Sequence, residues 1–387
     1  MTTMKNQNAI IACGANYSVV IMADKTIRCW GDNTCQQYDN FVQQQQHLTF
    51  TSVIQTILSW FRPDQHENKH LTFTSVIQTI LGWFRPDQHE NKHLTNVIEV
   101  VCGFHHSVAL FDNGTIRCWG NNKANQCDPI HSTYTDIIQV VCGDTHSVAL
   151  LSNGTIKCWG NNRNNQCNPL HSTFTNVIQV ACGLCHSVAL LSNGTVRCWG
   201  NNYWNQCDPV HLTFIDVIQV ACGNWHSVAL LSNGTVQCWG DNEYNQCDPL
   251  HRTFTDVIQI SCGSFHSVTL FSDGTVKCWG DYHGNQREPI HSTFTNVIQV
   301  ACGRGHTVAL LSNGTVRCWG YNNDNQCDPI HLTLTDVVQV ACGDNHSVAL
   351  LSNGTVRCWG NNDYNQCDSV HRTFTNIMIP TCCAMLW

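Results

Sequence analysis

Apolar and polar positions follow one another in a fixed order every 40 residues along most of the chain. Each period contains an apolar run that ends at Cys-Gly, a second apolar run, an Asn-Gly pair and a third run that ends at Cys-Trp-Gly. In one period these runs occupy residues 217–222, 227–231 and 235–239. Short, β-branched runs are typical of strands, and apolar residues on both faces indicate a small sheet packed between two neighbours.

The Asn-Gly pair between the second and third runs predicts a hairpin. Asn233 and Gly234 suit a type I′ turn, which requires a positive φ at both central residues. Asp273 stands in place of the asparagine in one period and suits the same turn. The sequence therefore predicts three antiparallel strands per period, with residues 251–254 and their equivalents as a candidate fourth strand.

Seven complete copies of the period occupy residues 97–376, and a divergent copy occupies residues 1–42, with Tyr17 where the others have histidine. Residues 377–387 begin like a further copy and then stop. Small antiparallel sheets repeated around an axis build a β-propeller. We therefore expect an all-β propeller of seven blades, with eight as the alternative, closed where residues 10–13 meet residues 377–381.

Residues 43–96 interrupt the array. The segment 47–69 is repeated at 70–92 with a single change, Ser59 to Gly82. Apolar residues at helical spacing predict a short helix in each segment. We interpret the duplication as an excursion from the propeller surface; the alternative is a pair of amphipathic helices that offer Trp60 and Trp83 to a partner.

The repeated residues resemble the repeat of the regulator of chromosome condensation family. The resemblance lies in the run 217–246 and its equivalents, where a strand ending at glycine, His-Ser, a hairpin and Trp-Gly-x-Asn follow in the family's order. The repeat departs from the family just after Trp-Gly-x-Asn, where residues 205–208 and their equivalents read Asn-Gln-Cys-Asp instead of Gly-Gln-Leu-Gly. The resemblance implies a propeller, most often with seven blades, and in a few family members guanine-nucleotide exchange on a small GTPase.

Composition narrows the expected partners and location. The net charge is -8 and 12% of the residues are charged, so we expect neither a nucleic-acid nor a membrane partner. The first ten residues lack the apolar run of a signal peptide, so we expect a cytoplasmic protein, with the nucleus as the alternative and secretion excluded. The 26 cysteines recur at repeat positions, which indicates buried thiols that fill the blades. Their disulfide state stays open.

The recurring cysteines and histidines do not form a convincing metal site. Their spacing differs from the paired ligands of compact zinc sites. Arg287 replaces a cysteine in one copy, and Tyr17 replaces a histidine in another. A ligand set that some copies lack indicates packing and hydrogen bonding, so we expect no metal and no other cofactor. Reactive residue types recur with the repeat and none marks a single locus, so we predict that the protein is not an enzyme.

The copies differ from one another mainly in the two residues after Cys-Gly and in the third and fourth residues after Trp-Gly. Because the strands alternate in direction, both sites lie at one end of the sheets, here called the top rim, whereas the Asn-Gly turns lie at the bottom. The predicted partner-binding residues of the top rim are Leu184, Tyr203, Trp204, Trp225, Tyr244, Phe265 and Tyr282.

Clustered aromatic residues on a variable surface predict an interaction hot spot. We therefore expect a non-enzymatic scaffold that binds a protein partner through this rim. The alternative is a guanine-nucleotide exchange factor or regulator of a small GTPase, which rests on the family resemblance alone.

Overall fold

The computed structural model describes residues 11–34, 96–127, 135–167, 174–207, 214–247, 254–280, 295–327 and 334–367. The chain divides into two units, and these residues all belong to the unit formed by Met1–Tyr38 and Thr95–Trp387. The other unit, Asp39–Leu94, lies outside them, as do the duplicated segments and the helices predicted there. The described residues form strands and turns, and none of them forms a helix that could span a bilayer.

The strands form eight antiparallel three-stranded sheets, called blades 1 to 8 in chain order. Blades 1 to 4 contain β1 Ile11–Cys13, β2 Tyr17–Ile21, β3 Ile27–Gly31, β4 Val97–Cys102, β5 His106–Phe111, β6 Ile116–Gly120, β7 Ile137–Cys142, β8 His146–Leu151, β9 Ile156–Gly160, β10 Val177–Cys182, β11 His186–Leu191 and β12 Val196–Gly200. Blades 5 to 8 contain β13 Val217–Cys222, β14 His226–Leu231, β15 Val236–Gly240, β16 Val257–Cys262, β17 His266–Phe271, β18 Val276–Gly280, β19 Val297–Cys302, β20 His306–Leu311, β21 Val316–Gly320, β22 Val337–Cys342, β23 His346–Leu351 and β24 Val356–Gly360.

The hairpin at each Asn-Gly pair differs from the predicted type I′ turn. In blade 5, Gly234 has a φ of 81°, whereas Asn233 does not have a positive φ. The Gly234 N–H donates to the Leu231 carbonyl at 2.9 Å, and the Asn233 side chain accepts the Thr235 N–H at 2.9 Å. The prediction was wrong because the asparagine serves as a side-chain acceptor for the backbone, a role that Asp273 fills equally well in blade 6.

The ring contains eight blades, which decides between the two numbers that the sequence left open. The first strand of each blade contacts the first strand of the next, and β1 contacts both β4 and β22. Blade 1 therefore lies between blade 8 and blade 2 as a full member of the ring. The proposed seam partner at residues 377–381 lies outside the described residues.

The apolar core lies between adjacent blades. Between blades 4 and 5, Val188 and Leu190 pack with Val220, Ala229 and Trp239. The same combination recurs between blades 2 and 3, 3 and 4, 6 and 7, and 7 and 8, whereas the core between blades 5 and 6 lacks the alanine and contains Phe254 and Phe271. The second strand of each blade is buried on both faces between two neighbouring blades, and both of its faces are apolar, as the sequence predicted.

Buried polar side chains also link the blades. The His226 imidazole in blade 5 bonds the Ser267 hydroxyl in blade 6 at 2.8 Å. Equivalent bonds join His106 to Ser147, His146 to Ser187, His186 to Ser227, His266 to Thr307, His306 to Ser347 and His346 to Ser18. In blade 1, Tyr17 takes the place of the histidine, and its hydroxyl accepts a bond from Ser107 in blade 2 at 3.0 Å. The side-chain ring thus closes through all eight blades.

Candidate functional site

A closed ring of backbone hydrogen bonds forms the centre of the top rim. In every blade, the residue after Cys-Gly donates its N–H to the carbonyl of the equivalent residue in the next blade, at 3.0 to 3.3 Å. The ring runs through Ala15, Phe104, Asp144, Leu184, Asn224, Ser264, Arg304 and Asp344 and returns to Ala15. Gly223 precedes this position in blade 5, and a Cβ there would lie 2.5 Å from the Gly263 carbonyl oxygen. The recurring glycine therefore allows the blades to approach closely at the axis.

A central cavity of about 260 Å³ opens inside this ring. The Cys-Gly-x segments of all eight blades line it. Three lining residues are ionisable at neutral pH: Asp144, Arg304 and Asp344. Burial raises the pKa of Asp144 to about 6, and the Asp344 carboxylate raises it further. Burial also raises the pKa of Asp344, while Arg304 opposes that shift.

The loops after Trp-Gly are built on side-chain hydrogen bonds from residues that recur in most copies. In blade 4, the Asn201 side chain accepts the Tyr203 N–H at 2.8 Å, and the Asn202 side chain accepts the Cys207 N–H at 2.7 Å. The fully buried Gln206 accepts the Trp204 N–H at 2.8 Å. Asparagine and glutamine thus fix the loop backbone, and the two variable residues stand on it.

The structure brings four of the predicted aromatic residues together in two pairs. Tyr203 is 79% exposed, and its ring meets the Trp204 ring edge-on with the centroids 5.0 Å apart. Tyr244 of blade 5 contacts Phe265 of blade 6, with the ring centroids 5.3 Å apart. The second pair bridges two blades, because the fourth residue after Trp-Gly in one blade lies beside the second residue after Cys-Gly in the next.

The other predicted residues have different surroundings. Trp225 is half-buried on the top rim, and its carbonyl accepts the Asp241 N–H at 2.9 Å. Leu184 belongs to the backbone ring and lines the central cavity. Tyr282 lies outside the described residues.

The sequence prediction left out three aromatic residues that the rim also exposes. Phe104, Tyr321 and Tyr364 are 37%, 37% and 44% exposed. Tyr364 occupies in blade 8 the position that Trp204 occupies in blade 4. They were missed because they lie in copies outside the predicted aromatic sector. The position of each within its repeat nevertheless marks it as a rim residue.

The recurring cysteines and histidines are partly or fully buried parts of the scaffold. All 23 cysteines within the described ranges are free thiols that are partly or fully buried. Burial raises the pKa of Cys222 to about 12 and lowers the pKa of His226 to about 3. Both groups are therefore neutral near pH 7, where a protonated thiol is a poor nucleophile. Among the described residues, no group of three or more metal-ligating side chains has the geometry to hold an ion.

A family model described as the regulator of chromosome condensation (RCC1) repeat matches the chain eight times. The matches cover residues 9–37, 97–126, 137–166, 177–206, 217–246, 257–285, 297–326 and 337–366. They include the divergent first copy and all seven complete copies. No protein of curated function matches the chain.

Several solved structures share the fold at low sequence identity. Prp20p from Saccharomyces cerevisiae, described with its binding properties to Gsp1p and histones, is 20% identical with a TM-score of 0.50, covering 67% of this chain and 82% of its own. Human WBSCR16 is 22% identical with a TM-score of 0.51, covering 79% and 88%. The ectodomain of the Physcomitrella patens receptor kinase CR4 is 19% identical with a TM-score of 0.50, covering 68% and 72%. At these identities the likeness concerns the fold.

Proposed function

Because this chain belongs to the regulator of chromosome condensation (RCC1) repeat family, we propose that it is a non-enzymatic propeller scaffold that binds a protein partner through its top rim. The observation that carries the proposal is the aromatic surface on blades 4 to 6. Tyr203 and Trp204 form one pair there, Tyr244 and Phe265 form another, and Trp225 lies on blade 5, which also carries Tyr244. Aromatic residues on a rigid support are the residue types that dominate protein–protein hot spots.

The loop construction supports the proposal. Binding costs free energy when loops and side chains must first be ordered. Here the amide side chains of Asn201 and Gln206 hold the backbone that carries Tyr203 and Trp204. A partner therefore meets an aromatic surface whose backbone is already ordered, and the loop-ordering cost of association is small.

The thiols support a reducing location. Cytosolic and nuclear proteins keep their cysteines reduced, whereas secreted proteins oxidise them. The free cysteines of the eight blades accord with a site of action in the cytoplasm or the nucleus, which we propose together with the binding function.

The decisive experiment is affinity capture with the intact protein and with two matched variants. We expect Trp204→Ala combined with Trp225→Ala to release the partner, because both substitutions remove rim aromatics without touching the interblade cores. The control is Tyr364→Ala, which removes an exposed aromatic at the equivalent loop position of blade 8 and should retain the partner. A partner kept by the double variant, or lost equally from both variants, would overturn the proposal.

The partner that is captured can then be tested in its own right. Prp20p is described with binding to Gsp1p and histones, so a small GTPase is one identity for the captured protein. A nucleotide-release assay on that GTPase, with and without this chain, decides between binding and exchange. Release that this chain accelerates would contradict the non-enzymatic scaffold.

A further inference from the structure

An exposed apolar arc lies at the bottom of the inner strands, at the end opposite the top rim. In blade 5 the strand register shifts between Val217 and Gln219, so that Ile218 has no paired residue on β14. Ile218 is 54% exposed. The equivalent residues of blades 3 to 7 are all exposed by 38% to 57% and are called here the isoleucine arc: Ile138, Ile178, Ile218, Ile258 and Ile298.

The residues on either side of each isoleucine are already used by the scaffold. Val217 and Val220 are buried in the core between blades 4 and 5. The Gln219 side chain accepts the Ile260 N–H of blade 6 at 3.2 Å. Ile218 neither packs into that core nor links its blade to the next one. The same arrangement in five consecutive blades leaves five large apolar side chains exposed to water, an arrangement typical of an interaction surface.

The inner strands place the arc around one opening of the propeller axis. First strands of successive blades contact one another, so they are the strands closest to the axis. Their Cys-Gly ends line the central cavity at the top. Their opposite ends, which carry the isoleucine arc beside the Asn-Gly turns, therefore surround the bottom of the axis.

The charged side chains on the described segments that lead directly into the first strands of blades 3 to 8 are acidic. The residue two positions before the isoleucine is an exposed aspartate in four blades, namely Asp136, Asp216, Asp256 and Asp336, and an asparagine in blades 2, 4 and 7. The first strands and Asn-Gly turns of blades 2 to 8 contain no lysine or arginine. Most basic residues at this end lie on the third strands, which are the strands farthest from the first strand in each sheet. They are Arg28, Arg117, Lys157, Arg197, Lys277, Arg317 and Arg357. Lys25, in the turn of blade 1, also lies at this end and pairs with Asp112 at 3.5 Å.

We propose that the isoleucine arc is a second interaction surface, which receives an apolar segment flanked by lysine or arginine from a protein partner. The apolar side chains of that segment cover the arc, and its basic residues meet the aspartates, so that the two surfaces are complementary in charge. A second copy of this chain does not fit as the occupant, because it would bring the aspartates of two arcs close together. The surface lies at the opposite end of the blades from the top rim, so both can be occupied at once.

The test measures binding of a fluorescein-labelled amphipathic peptide of leucine and lysine to the full chain by fluorescence anisotropy. We expect this peptide to bind. We expect two sister peptides to fail, one with leucine replaced by serine and one with lysine replaced by glutamate. Equal binding of the serine peptide would show that attraction to any acidic surface suffices, which would overturn the proposal.

Substitutions then locate the site. The triple variant Ile178→Thr, Ile218→Thr, Ile258→Thr should weaken peptide binding by about tenfold or more, equivalent to about 1.4 kcal/mol or more. Its matched control replaces the same residues with valine, which blade 8 carries naturally at this position as Val338. The valine variant should bind like the wild type, because valine preserves an apolar, β-branched surface.

A charge variant gives an independent result even if the threonine variant fails to fold. Asp136→Asn, Asp216→Asn and Asp256→Asn introduce the residue that blades 2, 4 and 7 already have there. We expect weaker binding with a smaller dependence on salt. Unchanged binding in both the isoleucine and the aspartate variants would overturn the proposal. A dimer of this chain that the threonine substitutions dissociate would identify a second copy as the occupant and would also overturn it.

Discussion

Blade 1 and blade 5 occupy equivalent places in the ring, but different side chains join them to the next blade. In blade 5, His226 bonds the Ser267 hydroxyl of blade 6. In blade 1, the Tyr17 hydroxyl bonds Ser107 of blade 2 and also donates to a backbone carbonyl of that blade. The longer phenol thus reaches the neighbour that an imidazole reaches elsewhere.

Both blades take part in the same ring of backbone bonds at the axis. Ala15 of blade 1 donates to the Phe104 carbonyl at 3.3 Å and accepts the Asp344 N–H at 3.3 Å. Asn224 of blade 5 takes part in the same ring of bonds. The two blades therefore share the ring of backbone bonds at the axis, although different side chains link them to the next blade. A divergent copy can complete the ring provided that its glycine turn reaches the axis.

The largest expected effect is loss of stability in acid, and it belongs to blades 2 to 8. Burial lowers the pKa of each histidine to about 3 or 4, from 6.5. The unfolded chain therefore takes up protons first as the pH falls, so this stability is present above pH 6.5 and is lost below it. The loss is about 1.4 kcal/mol per histidine for each pH unit between the two pKa values.

Urea unfolding near pH 7.5 and near pH 5 measures this loss, which should be on the order of 10 kcal/mol for the seven histidines. Tyr17 does not titrate in this range, because burial raises its pKa further above its ordinary value. Tyr17→His should therefore steepen the acid transition. A free energy of unfolding that stays constant across this range would contradict the burial of the histidines.

Removing the tryptophan of blade 1 tests whether that blade is a full member of the ring. Trp30 donates its indole N–H to the Gln366 carbonyl of blade 8 at 2.9 Å, as Trp239 does to Gln206 at 2.9 Å. Each tryptophan is buried, so alanine at either position should lower the free energy of unfolding by about 3–5 kcal/mol. Equal losses are expected. A Trp30→Ala variant with the same free energy of unfolding as the wild type would show that blade 1 does not contribute to the stability of the ring.

The sequence predicted the strands of blade 5 well, because their pattern is local. The predicted runs at 217–222, 227–231 and 235–239 agree with β13, β14 and β15 to within one residue at each end. The predicted turn type was wrong because the conformation at Asn233 depends on the hydrogen bond that its side chain accepts from the Thr235 N–H. An Asn-Gly-Thr sequence is compatible with this turn and with a type I′ turn alike.

Contacts between blades were beyond prediction for a different reason. The bond from His226 to Ser267 joins residues 41 apart, one more than the repeat, and it exists only after two blades have packed. Recurrence showed that these residues belong to the scaffold, but it could not show which pairs meet. The two aromatic pairs of the rim were predicted as one sector from the differences between copies, and only packing divides them.

Glu99 of blade 2 stands where blades 3 to 8 have glutamine. In blade 4, Gln179 accepts the Val220 N–H at 3.0 Å and donates to the Val220 carbonyl at 3.3 Å. A carboxylate can accept such a bond but cannot donate one. Burial raises the pKa of Glu99 to about 7 from 4.5, so its contribution to stability is present below pH 4.5 and is lost as the pH rises through 7.

Glu99→Gln should therefore stabilise the protein by about 1–3 kcal/mol near pH 8 and by much less near pH 5. Chemical denaturation at the two pH values measures the difference. Gln179→Glu is the reciprocal control and should introduce the same pH dependence into blade 4. A gain from Glu99→Gln that is equal at both pH values would rule out the ionisation of Glu99 as its cause.

The smallest expected effect concerns the Tyr17 hydroxyl itself. Tyr17→Phe leaves the ring in place and removes the bonds to Ser107 and to the His106 carbonyl. That carbonyl keeps the Gly103 N–H at 2.8 Å, whereas the Ser107 hydroxyl keeps only a contact with the Cys102 thiol at 3.5 Å. The loss should therefore be about 1–2 kcal/mol, at the lower end of the cost of an unsatisfied buried group. Ser107→Ala in the Tyr17→Phe background should cost little more, because the partner is already gone; additive losses in that double-mutant cycle would mean that the two hydroxyls stabilise the ring separately.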